Sequence, residues 1–351
     1  MNNKTINTGS RNLCMDTVKG VACILVVLIH YNWGGEVSNA LKAVGRFAVP
    51  YFYFLSGYYL PDREGVLTRD NLGRKLTRTW KLLLKSALVY AVFCVLWNFL
   101  MDSTWNWWAF TKEKMTLKWF IMVFVSCDPV MYAHLWYVIA SVMCHGVLWL
   151  ACGAMEKKKA AYPVLFAVLL CTYSLTGEFY GLIGIDKYWY YTEESRLIIS
   201  NVFLFRAMPF ILFGICLKKY KIAEKKPLPG WLLLILAAVG CLMAVLEDRR
   251  FGVTLMYTGT HLTTVSLALL SIWYPGKRIA GLGYIGGKLS MYVYIYHIAV
   301  GKMVDLGFAK LHLWGNIPLK TMRPLIVLAG SLVFAALLVW LESRPRRGTA
   351  K

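Results

Sequence analysis

The chain has 351 residues, of which 58% are hydrophobic and only 16% are charged, and its mean hydropathy is +0.52. A soluble domain is about 45–50% apolar and about 25% charged, so a cytosolic enzyme, a disordered tail and a secreted disulfide scaffold are excluded. The apolar residues come in blocks of about 17–22, the length that crosses a bilayer as a helix. The composition therefore predicts a polytopic membrane protein.

Ten apolar blocks are predicted to form transmembrane helices. Segment Leu117–Cys127 is also apolar, but it is short and contains Lys118, so an interfacial helix is expected there. The predicted fold is all-α, a single transmembrane domain over residues 1–351 with no soluble domain. The predicted spans are approximately 17–33, 44–60, 82–101, 135–154, 161–177, 200–217, 230–246, 254–274, 287–303 and 324–341.

The distribution of charge predicts the orientation of the chain in the membrane. The net charge is +21, from 39 Lys and Arg against 18 Asp and Glu. With both termini in the cytoplasm, the cytoplasmic segments hold 24 Lys and Arg and seven acids, and the opposite segments hold 13 and eleven. This asymmetry follows the positive-inside rule. It predicts cytoplasmic termini, and it explains the basic total without a nucleic-acid partner.

Ionisable residues inside the predicted spans are functional candidates, because each costs at least ~2.5 kcal/mol at bilayer depth. Lys19 and His30 are eleven residues apart, which places them on one helix face, roughly 16 Å apart along the axis. One interpretation is a snorkelling lysine with an interface histidine. The other, which we favour, has Lys19 binding an anionic ligand from the cytosol and His30 acting as a base deeper in the membrane.

Polar residues in other spans have structural as well as functional explanations. Ser290, Tyr294 and His297 form one stripe of the ninth span, where a buried histidine bonded to a tyrosine would explain the pattern equally well. Ser56-Gly57 in the second span fits close helix packing as well as it fits catalysis.

The remaining ionisable candidates carry weaker functional signals. His145 is expected to be a hydrogen-bonded core histidine, and Arg206 must pair with Glu193, Glu194 or a substrate anion. The nine cysteines contain no CxxC pair, so they indicate neither a disulfide framework nor a zinc site. No metal-ligand set is found.

Six motifs in order along the chain resemble those of the membrane-bound acyltransferase 3 family, which includes bacterial O-acetyltransferases. In the first motif a basic residue and a histidine are separated by ten positions. Because the motifs span nearly the whole chain, the resemblance is specific. The motifs are Asp16-x-x-Lys19-Gly20 through His30, Arg46 through Tyr58, Lys75-x-x-Arg78, His134-Leu135-Trp136-Tyr137, Arg206-x-x-Pro209-Phe210, and Leu289-Ser290 through His297.

The resemblance implies transfer of an acyl group, acetyl from acetyl-CoA, to a hydroxyl of a cell-surface glycan or lipid-linked saccharide at the plasma membrane. His30 would act as a general base or form a transient acyl-imidazole, with His297 on the acceptor side and Asp16 orienting Lys19. The CoA phosphates would be bound by Lys19, Lys75 and Arg78. The residues expected to line the substrate site are Arg46, Ser56, His134, Trp136, Arg206, Ser290 and Tyr294.

Two departures from the family pattern affect these expectations. The first-span basic residue is usually arginine, and Lys19 keeps the charge but lacks the planar fork of a guanidinium group. The extracytoplasmic domain that many members carry is absent, so final transfer is expected in the membrane domain or in a partner protein. The alternatives are a transporter or flippase for a small polar solute and a purely structural membrane subunit.

Overall fold

The computed structural model of the protein describes residues 11–101, 106, 108–109, 112, 116–125, 127, 133–158, 160–177, 202–251 and 257–344. Regular secondary structure in this part of the chain is helical, without β-strands, which confirms the predicted all-α class. The chain divides into two compact units. Unit 1 comprises residues 1–48, 226–245 and 259–351, and unit 2 comprises residues 49–225 and 246–258.

Helices α1 to α14 follow one another along the described chain, and a π-helical turn separates α12 from α13. Short 3-10 turns at Ala133–Leu135, Ile222–Glu224 and Leu313–Gly315 join some of them. The helices are α1 Leu13–His30, α2 Gly35–Gly45, α3 Ala48–Tyr58, α4 Arg69–Met101, α5 Leu117–Val125, α6 Trp136–Lys157, α7 Ala161–Gly177, α8 Phe203–Arg206, α9 Met208–Lys219, α10 Gly230–Phe251, α11 Thr258–Trp273, α12 Ala280–Tyr284, the π turn Ile285–Leu289, α13 Ser290–Lys310 and α14 Ile317–Ser343.

Among the described residues, five helices are long and apolar enough to cross a bilayer: α1, α4, α6, α10 and α14. This supports a membrane protein, and the count of ten spans stays a prediction. Each predicted span contains a helix, but two are interrupted. The span 44–60 falls on the end of α2 and on α3, and the span 200–217 falls on α8 and α9. A proline lies in the first turn of α3 and of α9, where its missing N–H is not needed.

Basic residues predicted to lie in a loop after the second span belong to a helix. Helix α4 has 33 residues and begins at Arg69, so Lys75 and Arg78 are on its first turns. The interfacial segment predicted at Leu117–Cys127 contains the nine-residue helix α5. Helix α4 begins before the predicted span because charged residues with high helix propensity continue it beyond its apolar part.

Helix α1 is the central helix of unit 1. Asn12 caps its start, accepting a hydrogen bond from the Met15 backbone at 2.9 Å. The helix packs against α12, the π turn, α13 and α14. At Gly20 and Gly286 the backbones approach so closely that an added Cβ would lie about 2 Å from a carbonyl oxygen of the neighbouring segment. Gly20 thus allows α12 to pack closely on α1, and Gly286 does the same for the π turn.

Unit 2 is built in the same way around α3, α6 and α9. A Cβ at Gly57 would lie 1.9 Å from the Ile211 carbonyl oxygen, and one at Gly214 would lie 2.2 Å from that of Phe54. Helices α3 and α9 are therefore in backbone contact. Helix α6 packs against α4, and its Glu156 forms an ion pair with Lys219 of α9 at 2.7 Å. These contacts join α3 to α9, α4 to α6 and α6 to α9 within unit 2.

Candidate functional site

Two histidines from distant parts of the chain meet in unit 1. The ring centroids of His30, the last residue of α1, and His297 of α13 are 5.1 Å apart, and the ring planes make an angle of 42°. His297 is completely buried, whereas His30 is exposed. We call these residues the histidine pair. The structure therefore brings together two of the three predicted catalytic residues, one accessible and one shielded.

The hydrogen bonds of His297 determine which of its nitrogens can act as a base. Its Nδ1 lies 3.0 Å from the Val293 carbonyl oxygen and 2.8 Å from that of Tyr294. A carbonyl can only accept, so Nδ1 carries the proton. In the neutral ring the lone pair is then on Nε2. The backbone of α13 thereby fixes the tautomer of the buried member of the pair.

Tyr31 fixes the spacing of the histidine pair. Its hydroxyl donates to the carbonyl of Ile298 at 3.1 Å, so the residue after His30 bonds to the residue after His297. Its ring lies against Gly301, where an added Cβ would be 1.9 Å from the ring. The guanidinium carbon of Arg323 is 5.2 Å from the centroid of that ring. Tyr31 and Gly301, which we call the tyrosine clamp, set how α1 and α13 meet.

A charged cluster stands at the other end of α1. Asp16 forms an ion pair with Arg11, and its second carboxylate oxygen lies 3.8 Å from the Lys19 ammonium group. Asp16 therefore lies beside Lys19, but its carboxylate is shared between two cations. The Arg11 side chain lies beside Gly287 of the π turn, where a Cβ would overlap it. The Lys19 side chain is 26% exposed, so an anion can reach it.

Of the three residues predicted to share one face of the ninth span, Tyr294 and His297 lie at the histidine pair and Ser290 does not. The ring centroids of Tyr294 and His297 are 6.3 Å apart. Ser290, by contrast, donates its hydroxyl to the carbonyl of Gly286 at 2.7 Å. Ser290 therefore anchors the π turn, and π turns inserted between α-helical turns are frequent near functional sites.

Unit 2 contains an open basic groove of about 550 Å³ beside the first turns of α4. Of the two cations of the Lys75-x-x-Arg78 motif, Arg78 lines this groove and Lys75 does not. The positions 74, 78 and 81 share one face of α4, since they are spaced by four and three residues. The charged and aromatic side chains that line the groove are Arg69, Arg74, Arg78, Lys81, Asp70 and Trp149.

The other predicted substrate residues are distributed over both units. In unit 2, the guanidinium carbon of Arg206 is 3.4 Å from the centroid of the Trp136 ring, so these two candidates meet. His134 is buried against Tyr90, with ring centroids 4.9 Å apart. Arg46 is half-buried at the end of α2 in unit 1. The carboxylates Glu193 and Glu194, named as partners for Arg206, lie outside the described residues.

Ser56, the last of the predicted substrate residues, pairs with His145. The serine Oγ lies 3.2 Å from Nε2 of His145, and the imidazole is completely buried. As predicted for a core histidine, both ring nitrogens of His145 have hydrogen-bond partners.

Sequence patterns alone missed Arg11, Tyr31, Gly301 and most of the groove. Arg74, Arg78 and Lys81 had a detectable signal, because their spacing forms a stripe once the segment is treated as a helix. Tyr31 and Gly301 had none, since their contact joins residues far apart in sequence and depends on the packing of α1 against α13. Arg11 likewise gains its partner only when α1 has folded.

The match to a family model explains why these motifs occur together. A model described as an acyltransferase domain, that of the acyltransferase 3 family, matches residues 12–342. No curated protein and no solved structure matches the chain. The matched region contains the histidine pair, the Asp16–Lys19 contact and the basic groove. The chain therefore belongs to the acyltransferase 3 family of membrane acyltransferases.

Proposed function

We propose that the protein transfers an acyl group, acetyl in the simplest case, from cytosolic acyl-CoA to a hydroxyl of a cell-surface glycan or lipid-linked saccharide. The observation that carries this proposal is the histidine pair, an accessible imidazole against a buried imidazole of fixed tautomer. A neutral imidazole is suited to accept a hydroxyl proton near neutral pH. The family match supports acyl transfer as the reaction.

In this mechanism His30 removes the proton from the acceptor hydroxyl as the hydroxyl oxygen attacks the carbonyl carbon of the acyl donor. The bond between the carbonyl carbon and the leaving group breaks, and the proton passes from His30 to that group. The buried His297 supports the His30 ring and offers a lone pair beside it. A transient acyl-imidazole on His30 is the alternative route.

The donor carries phosphates, and the structure supplies cations for them. The basic groove has four cationic side chains and one carboxylate, so it favours an anion. Arginine binds phosphate oxygens through two parallel hydrogen bonds, which suits Arg78 to the role. Lys19, separately, is proposed to meet an anionic group of the donor. Lys75 is proposed for the same role on the resemblance alone.

The proposed function is tested with purified protein and labelled acetyl-CoA. Release of CoA together with transfer of the label to saccharides extracted from the producing cells' membranes would support an acyltransferase. Uptake of a labelled small polar solute into proteoliposomes, without any turnover of acetyl-CoA, would contradict it and favour a transporter. The absence of both activities in well-folded protein would favour a structural subunit, in which case a partner protein would carry the chemistry.

Lys19→Ala should weaken CoA binding by about tenfold to a hundredfold, whereas Lys19→Arg should keep most of the affinity. The reason is that a hydrogen bond to a charged group contributes about 1.5–3 kcal/mol, and arginine keeps the charge. Titration calorimetry with CoA measures the effect. Lys158→Ala, which removes an exposed cation of unit 2, is the control for net charge. Equal CoA affinity for wild type and both Lys19 variants would make Lys19 only an interface anchor.

We further propose ten spans in the plasma membrane with both termini in the cytoplasm, on the strength of the charge asymmetry. In a background without reactive native cysteines, Asn39→Cys should react with an impermeant thiol reagent in intact cells. Lys158→Cys should react only after the membrane is permeabilised. Both residues are exposed, so access to the thiol depends on the side of the membrane. Labelling at position 158 but not at 39 would overturn the topology.

A further inference from the structure

Unit 2 contains a second histidine with a fixed tautomer, and this one faces a serine hydroxyl. The Nδ1 of His145 is hydrogen-bonded to the carbonyl oxygen of Ser141, one turn earlier in α6. Since a carbonyl can only accept, Nδ1 carries the proton and Nε2 carries the lone pair of the neutral ring. The Ser56 hydroxyl, 3.2 Å from Nε2, is therefore the donor of that hydrogen bond. A nucleophile, a base and a group that orients the base are the components of an activated serine.

Ser56 and His145 differ in solvent accessibility, as a nucleophile and its buried base should. His145 is completely buried, whereas Ser56 is only half-buried, so the serine is the more accessible member of the pair. The backbone at Ser56 is also held rigidly. Its neighbour Gly57 is in contact with the Ile211 carbonyl of α9, with no room for a Cβ. A rigid element positions a reacting atom more accurately than a loop does.

The serine–histidine pair lies next to the basic groove. Trp149, which lines the groove, follows His145 by four residues in α6, so it is about one turn, or roughly 6 Å, along the same helix face.

We propose that Ser56 is an acyl carrier, which accepts the acyl group from the donor before it passes to the final acceptor. This inference rests on the proposed function, since it requires an acyl-CoA donor. The Ser56 oxygen attacks the thioester carbonyl carbon while His145 Nε2 takes the hydroxyl proton. The carbon–sulfur bond breaks, and the proton passes from His145 to the CoA thiolate. The products are free CoA and an oxygen ester on Ser56.

In the second step the acceptor hydroxyl attacks the carbonyl carbon of the Ser56 ester. A base takes the proton of that hydroxyl, and the proton returns to the Ser56 oxygen as the ester bond breaks. Serine is thereby regenerated and the acyl group is on the acceptor. Loading of Ser56 uses His145 as its base, so loading should not depend on His30.

The test is to incubate purified full-length protein with labelled acetyl-CoA and no acceptor, and to quench it with acid. The peptide that contains Ser56 should then carry one acetyl group, stable to neutral hydroxylamine as an oxygen ester is. Ser56→Ala should lose this adduct, and Ser56→Cys should form a thioester that neutral hydroxylamine removes. His145→Gln should slow loading by about 10²-fold or more, the scale of a lost general base. His30→Ala should still be loaded.

Ser86→Ala is the matched control, because Ser86 is another buried serine of unit 2, with its hydroxyl bonded to the carbonyl of Leu82. It should load and transfer as the wild type does. One outcome would refute only the acyl-carrier role of Ser56. In that outcome the wild type transfers acetyl groups without forming an adduct at Ser56, and Ser56→Ala transfers normally, so the proposed function stands. If Ser56→Ala folds poorly, the Ser56→Cys variant provides the test. A folded Ser56→Cys protein that forms no hydroxylamine-labile adduct would refute the acyl-carrier role of Ser56. A wild type that neither binds nor cleaves acetyl-CoA overturns both proposals.

Discussion

His30→Ala should abolish measurable acyl transfer while the protein keeps its melting temperature and its affinity for CoA. Loss of a general base typically costs 10²–10⁴ in rate. His30 is exposed at the end of α1, so its removal leaves no cavity in the core. The measurement is labelled acetyl transfer to membrane saccharides, together with CoA titration and thermal unfolding of the same preparation.

Two comparisons separate catalysis from packing in this experiment. His297→Ala should lower both transfer and melting temperature, because it removes a completely buried ring that is hydrogen-bonded to α13. His312→Asn, at an exposed left-handed turn that asparagine tolerates, should leave both unchanged. Near wild-type transfer by well-folded His30→Ala protein would assign the chemistry to His297 and contradict the proposed role of His30.

How far the fold follows from the sequence depends on the range of the interactions involved. Helical segments such as Leu13–His30 and Trp136–Lys157 were predictable, because long apolar runs satisfy their backbone hydrogen bonds only as helices in a bilayer. The π turn at Ile285–Leu289 was not predictable. It depends on the contact of Gly286 with the backbone of α1, and a glycine pair gives no periodic signal of its own.

The candidate site also combines features that could be predicted from the sequence with features that depend on helix packing. The spacing of Lys19 and His30 on one face of α1 was available from helix geometry, and the family resemblance named His297. The contact between the rings of His30 and His297 was not available, because it depends on how α1 packs on α13. Ser56 and His145 each had a plausible packing role when considered alone. Only the distance of 3.2 Å between Ser56 Oγ and His145 Nε2 indicates a shared chemical role.

The tyrosine clamp predicts a large effect from one added methyl group. In Gly301→Ala the new Cβ would lie 1.9 Å from the Tyr31 ring, so the ring must move and its bond to Ile298 must break. Overpacking of this kind costs about 1–3 kcal/mol. A misplacement of about 1 Å can cost about 10²-fold in rate. Gly301→Ala should therefore lower both the melting temperature and acetyl transfer, with CoA affinity retained.

Gly307→Ala is the matched control, because Gly307 lies on the same helix with no atom within 4 Å of an added Cβ. It should raise stability slightly, since alanine loses less conformational entropy on folding. The double variant Tyr31→Leu with Gly301→Ala removes the clash without restoring the bond to Ile298. It should recover melting temperature but not transfer, because nothing then fixes the spacing of the histidine pair. Recovery of full transfer would show that the clamp stabilises unit 1 without positioning His30.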